Sequence, residues 1–315
     1  MKNRIMLITA LLFSGTLAFG QQKESGTVKL RGTRLTYPLV NKWIAEFNKE
    51  YPNIKVSIAL TAPVDSIDFS IASYPLKSDE LKEFQRSIIA TRYVQLPVVN
   101  SNRPGLAELQ SKGITEKELG EIFFNTESTT ILASSQKNVP VDLYVRDRPV
   151  CAVKSFADHF GADPKKIKGN GIKGDDQDLA KAVKKDVNGF SFNNLGFIYN
   201  TKTRKVVDSL AIIPLDLNAN GKIDKEEQIY NTLDEVIAYV EKTKSSAFVN
   251  DPVNFIFNKE SQNKSAGLFL HWVLTKGQQF NHALGFINQE SEPLETQKKI
   301  AASSFVSVAS GGGSK

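Results

Sequence analysis

The sequence is poor in the residues that carry redox and metal chemistry. Cys151 is the single cysteine among 315 residues, so no internal disulfide can hold the fold together. The three histidines, His159, His271 and His282, lack the tight spacing of a metal pair, although the last two stand eleven apart on one expected helix. No G-x-S-x-G, H-E-x-x-H or phosphate loop occurs, which removes common signatures of hydrolases, zinc proteases and nucleotide-binding enzymes. Ser261 and Lys264 form a bare S-x-x-K, a pattern frequent by chance, and no base accompanies Cys151. A non-enzyme is expected. Charge of one sign is not segregated either: lysines mix with acids throughout, and the densest runs, DPKKIKGNGIKGDD and KAVKKD, read as solvated faces. The net charge of +6 falls to +4 without Lys2 and Arg4, which argues little for a nucleic-acid partner, and none is expected.

What is present begins at the N-terminus. MKNRIMLITALLFSGTLAFG has a basic start, a short apolar run and small residues at Ala18 and Gly20, the pattern of an export signal cleaved after residue 20. The run is broken by Ser14 and Gly15 and is too short for a confident membrane span, leaving an uncleaved anchor as the alternative. No cysteine lies near the cut, so a lipoprotein is not expected. The expected location is periplasmic or secreted.

Strand and helix signals then alternate, which indicates α/β architecture. Strands are expected at 27–32, 54–60, 67–71, 93–100, 139–146 and 206–215. Helices are expected at 38–51, 78–90, 115–124, 175–186, 225–242, 264–285 and 293–304, with Thr115 and Glu118 forming a capping box. Residues 189–200 read as extended. Trp43 and Trp272 fall at helical positions suited to core packing.

Residues 216–227, DLNANGKIDKEE, match a twelve-residue calcium loop at every ligand position. Asp216, Asn218 and Asn220 offer side-chain oxygens, Lys222 its carbonyl, Asp224 a direct or water-borne contact and Glu227 a bidentate carboxylate. Gly221 stands at the sharp turn, where φ > 0 is favoured. A strand precedes the loop, and no second loop occurs, so a structural Ca²⁺ brace is expected rather than a calcium sensor.

The order G-x-x-G-D-x-x-L-x-x-A-V-x-x-D followed by GFSFNN, together with DELKEFQ, ITEKELGEIF, LYVRD and HWVLTKGQQF, resembles the phosphate-binding protein of bacterial phosphate ABC transporters. The strand running into IPLDLNANGKIDKEE is similar to a calcium-loop-containing branch of that family. The resemblance implies a type 2 periplasmic-binding-protein fold: two α/β lobes, a ligand cleft between them and two crossover strands, expected near 93–100 and 192–200. It implies lobe 1 from 26–95 and 200–310, carrying the calcium loop, and lobe 2 from 96–199. It also implies a monomer that clamps a small oxyanion and delivers it to an inner-membrane permease.

Carried onto this sequence, the family's ligand positions fall on Arg34, Leu35 and Thr36, on Ser73, and on Arg146, Cys151 and Ala152. Three departures stand out. LTAPVDSIDF replaces a Gly/Ser-rich loop, Ser73 replaces a proton-accepting Asp, and Val150 replaces a hydroxyl residue. The alternative is a calcium-braced structural or adhesive protein that has kept the fold and lost phosphate.

Overall fold

The computed structural model describes residues 24–125 and 139–305. The expected export signal and the GGGSK end lie outside the described residues. In chain order the elements are β1 (Gly26–Gly32), α1 (Tyr37–Glu50), β2 (Ile54–Ile58), β3 (Phe69–Ala72), β4 (Gln85–Asn100), α2 (Leu106–Lys112), α3 (Glu116–Phe124), β5 (Asp142–Arg146), α4 (Cys151–His159), β6 (Asn170–Ile172), α5 (Asp176–Lys185), β7 (Gly189–Asn194), α6 (Leu195–Ile198), β8 (Leu210–Ile212), α7 (Leu233–Thr243), β9 (Val249–Asn258), α8 (Lys264–Leu274), β10 (Phe286–Ile287) and α9 (Ser291–Phe305).

Local chemistry explains most of these boundaries. Pro38 sits in the first turn of α1, where its missing N–H removes nothing, and Leu39, Val40, Trp43 and Phe47 bury one face. Thr115 Oγ1 accepts from Glu118 N–H at 3.1 Å while Glu118 Oε2 accepts from Thr115 N–H at 2.8 Å, the reciprocal cap that starts α3. Asp175 caps α5 in the same way, and Leu179, Ala180 and Val183 form its inward stripe.

The strands form one continuous sheet in the order β2-β1-β3-β9-β4-β7-β5-β6, with β8 and β10 also paired to β4. Two hydrophobic cores sit on it. The first gathers Trp43, Phe47, Phe69, Phe255 and Phe269; the second gathers Phe123, Phe156, Phe190 and Phe192. Each fully buried Phe contributes about 2 kcal/mol by the area it removes from water. Two antiparallel strands belong to both cores. On β4, Ile88, Ala90 and Tyr93 face the first core and Val94, Leu96, Val98 and Val99 the second; on β9, Val253, Phe255 and Phe257 lie in the first and Val249 in the second.

This arrangement is the two-lobed α/β fold expected, with four corrections. The expected helix at 78–90 is a single turn at Ser78–Glu80, after which Gln85 opens β4. Its Leu81, Phe84 and Ile88 have helical spacing, but Ile88 and Ala90 alternate on a strand that pairs with β9 from Gln85 to Gln95. The second crossover is β9, not residues 192–200, whose Phe192, Leu195, Ile198 and Tyr199 all pack in the second core. The lobe boundary also moves. Residues 210–249 were expected in lobe 1, yet β8 pairs with Val98–Asn100, Leu215 bridges Ile114, and Leu233, Val236, Ile237 and Val240 lie in the second core. The calcium-type loop therefore belongs to the second lobe. Finally, the helix expected from Lys225 begins at Leu233 under a Thr232 cap, and the one expected over 264–285 stops at Leu274. His271 and His282 thus share no helix; His282 Nε2 meets Glu241 at 2.7 Å.

Trp43 and Trp272 are buried, as expected, with their indole N–H groups donating to Gly277 O and Glu50 Oε1, both at 2.9 Å. No helix among the described residues is long and apolar enough to cross a membrane.

Candidate functional site

A cavity of about 390 Å³ opens between the two lobes. From the first lobe it is lined by residues 32–34 at the end of β1 and by Ile71, Ala72 and Tyr74; from the second it is lined by Arg146, residues 148–152, Lys154, Gly174 and Asp176. A larger depression of about 620 Å³ beside Arg92 and Phe248 contains Lys244 paired with Glu290, and Glu241 paired with His282, so its charges are already balanced.

The first wall keeps its hydroxyls largely to itself. Thr36 is 1% exposed and its Oγ1 donates to Thr33 O at 2.8 Å. Ser73 is fully buried and its Oγ donates to Thr33 Oγ1 at 3.3 Å. Leu35 packs in the first core. None of these three lines the cavity, although all were expected to meet ligand. Arg34 does line it and is exposed, and the threonine that reaches the cavity is Thr33 rather than Thr36. Where the Gly/Ser-rich loop was expected to be missing, residues 59–68 form a short turn at Val64–Ser66 with Leu60 and Val64 exposed.

The second wall supplies charge. Arg146 ends β5 and is 6% exposed. Its Nε donates to Ile172 O at 3.3 Å and its Nη2 to Gly174 O, which ties the guanidinium to the turn before α5. Gly174 has φ +114°, and a Cβ there would stand 2.1 Å from Asp178 Oδ2, so this turn requires glycine. Arg146 Nη1 remains toward Asp176, whose Oδ2 lies 4.0 Å away. Burial pushes the Asp176 carboxyl up to about 6, against the lowering effect of Arg146 and with some help from Asp175.

Cys151 and Ala152 open α4 at the cavity, and Val150 before them has no side chain that can cap. The first-turn N–H groups therefore carry the positive end of the helix dipole into the cleft. Cys151 is partly buried, and no histidine lines the cavity. Lys154 reaches across: its Nζ sits 4.5 Å from the Tyr74 ring centroid and 3.8 Å from Glu80 Oε1 on the first lobe. The Tyr74 hydroxyl donates to Glu80 at 3.0 Å, and burial together with that carboxylate raises its pKa.

Outside the cavity lining, a polar network ties α4 to the crossover strands. Tyr93 donates to Ser73 O at 2.8 Å, and Gln95 Nε2 approaches Tyr93 Oη, Ala152 O and Ser155 Oγ at 3.2, 3.1 and 3.1 Å. Ser155 Oγ donates to Asp251. The α4 terminus is thereby fixed to β4.

Sequence reading named Arg34, Arg146, Cys151 and Ala152, and the fold brings these four together. It missed Thr33, Tyr74, Lys154 and Asp176. Thr33 directly precedes Arg34, and Asp176 ends the run DPKKIKGNGIKGDD, which reads as a solvated face.

The 216–227 loop lines none of this cavity. It packs against α2, with Ile223 N–H donating to Ser111 O at 2.8 Å. Asp216 and Glu227 are each 4% exposed. Asp216 accepts from Asn220 and Gly221 N–H at 3.2 and 2.7 Å, and Glu227 from Leu217 and Asp224 N–H at 2.7 and 2.8 Å. Gly221 has φ +82°, as the turn demands. The Asn218 and Asn220 amides and Lys222 surround Asp224, and these contacts hold its carboxyl down to about 2, Lys222 contributing most. The oxygen set suits a hard cation, but among the described residues no three His, Cys, Asp or Glu side chains lie close enough together to hold a metal.

No family model matches the chain, and no curated protein matches it by sequence. Solved structures do match. A Clostridium perfringens chain named for phosphate ABC transport, a substrate-binding protein with bound phosphate, superposes with TM-score 0.64 at 14% identity, over 84% of this chain and 100% of that one. An ABC-type phosphate transport receptor from Vibrio cholerae gives 0.57 at 13% identity over 83% and 100%. A chain from Planctomyces limnophilus named as a possible phosphate binding protein gives 0.55 at 16% identity over 89% and 99%. At such identities the likeness speaks to architecture: this chain has the type 2 binding-protein fold that the substrate-binding proteins of phosphate ABC transporters share.

Proposed function

We propose that the chain is an exported, monomeric solute-binding protein that takes a small, phosphate-like oxyanion into the interlobe cleft and delivers it to an inner-membrane ABC permease. No chemical step on the ligand is involved. The observation that carries this reading is the charge of the cleft: Arg34, Arg146, Arg148, Lys154 and the α4 N-terminus converge on it, against the single acidic side chain of Asp176. Such a wall attracts anions and gives them donors. The names of the similar structures point the same way. Lobe closure about β4 and β9 would surround the ligand.

The 216–227 loop serves in this reading as a Ca²⁺ brace on the second lobe. Asp216, Asn218, Asn220, Asp224 and Glu227 would hold the ion with the Lys222 carbonyl, after the two amides turn their oxygens inward.

Calorimetric titration of the phosphate-stripped protein in calcium-containing buffer tests the reading. Phosphate is expected to bind at about micromolar Kd or tighter. Silence toward both phosphate and sulfate would remove it and leave the fold as a ligand-free scaffold.

A further inference from the structure

Resting on that reading, we infer that the cleft is built for a phosphate monoester carrying a small apolar or aromatic group rather than for bare inorganic phosphate. The cavity holds about 390 Å³, within the range of about 300–1,000 Å³ that takes small organic ligands. A bare tetrahedral oxyanion, with about the bulk of three or four waters at about 30 Å³ each, fills roughly a quarter to a third of it. Closing the lobes removes little of the excess at the edge where the walls already meet. There Lys154 Nζ of the second lobe lies 4.5 Å from the Tyr74 ring centroid and 3.8 Å from Glu80 Oε1 of the first.

The two walls also differ in kind. On the second, Ile172 O and Gly174 O hold two nitrogens of the buried Arg146, and Nη1 keeps only Asp176 Oδ2, at 4.0 Å. The first-turn N–H groups of α4 stand on the same wall, with no cap from Val150. That wall takes the anionic group. The first lobe offers an oxyanion far less. Thr36 and Ser73 direct their hydroxyls to Thr33, and neither lines the cavity. Arg34, exposed, is the one cation on this wall, and much of the rest is Ile71, Ala72 and Tyr74, whose hydroxyl already donates to Glu80. A bare oxyanion would be held from one side and face mostly carbon on the other. In a monoester one oxygen already carries carbon and asks for no strong donor there. Its substituent would also remove the Tyr74 ring and the apolar surface beside it from water.

Inorganic phosphate, methyl phosphate and phenyl phosphate are the probes, compared by calorimetry on the full chain at about pH 8, where all three are mostly dianions. Affinity should rise along that series, with phenyl phosphate at least about tenfold tighter than inorganic phosphate. Tyr74→Ala should cut the phenyl-over-methyl ratio by about threefold or more, because the ring no longer meets the substituent. The series itself needs no variant and stands if Tyr74→Ala fails to fold. Affinity that stays level or falls from inorganic phosphate to phenyl phosphate would overturn the inference while leaving anion binding intact. An unchanged ratio in a folded variant would do the same. Silence toward all three probes would overturn the anion-binding reading and this one with it.

Discussion

The 216–227 loop and the interlobe cleft both collect charged groups, but they do so over different stretches of chain. The loop's six candidate ligands lie within twelve consecutive residues, so its pattern is visible before any fold is known. The cleft takes Arg34, Tyr74, Arg146, Lys154 and Asp176 from four separate segments, and only the sheet order brings them together. The loop also leaves its acids without a lysine or arginine ion pair, apart from Lys222 on Asp224, whereas in the cleft cations outnumber the one acid. Local chemistry suits a cation in the first and an anion in the second.

Four perturbations would break or sharpen that contrast. The largest is expected from Arg146→Ala, which takes the guanidinium donor from Gly174 O and leaves Asp176 buried without its cation. Denaturant unfolding should show a loss of about 3 kcal/mol, and phosphate binding should vanish with it. Glu227→Gln comes next. With calcium at about a hundredfold over its Kd, the unaltered protein should gain about 2.7 kcal/mol from the ion, and the variant should lose most of that increment while its phosphate affinity stays unchanged. Thermal melts with and without calcium measure the first, calorimetry the second; a joint loss would mean the two regions are coupled.

Asp176→Asn is expected to act in the opposite direction on stability. The Asp176 carboxyl titrates at about 6 in the fold against an ordinary 3.8. The folded state holds this proton more tightly, so stability is highest below 3.8 and falls as pH rises through about 6. At neutral pH the variant should therefore be more stable by up to about 3 kcal/mol, and in acid the two proteins should unfold together. Thr115→Ala is the smallest, about 1 kcal/mol from the lost cap of α3, with neither calcium nor anion response altered.

The same contrast explains what was legible in the sequence. α1, α3 and α5 announce themselves through Pro38, the Thr115–Glu118 box and the 3.6-residue stripes, all signals within a few residues. The first half of β4 did not, although 93–100 read as a strand, because Glu80–Ala90 has helical spacing until residues 249–258 arrive to pair with it. β9 carries Asp251 and Pro252 in its first half, which hides it as a strand. At the site, Arg146 was readable from its motif, but what holds it was not: Ile172 and Gly174 are met across the β5–β6 edge. Thr36 and Ser73 were given ligand roles on alignment, and both turn their hydroxyls to Thr33 instead. Val150 was noted as a lost hydroxyl; its consequence, an uncapped helix end facing the cleft, required the fold.

The two crossover strands also set an order of assembly. The second core is nearly complete in residues 94–249, whereas the first needs Phe255, Phe269, Trp272 and Leu274 from the far end of the chain to cover Trp43 and Phe47. A chain delivered N-terminus first, from a ribosome or through a membrane pore, therefore presents β1, α1 and β2 long before their cover exists. The middle of the protein can close while its beginning still waits. Any factor that shields the nascent or translocating chain should be needed most for residues 26–58, which are made early and buried last.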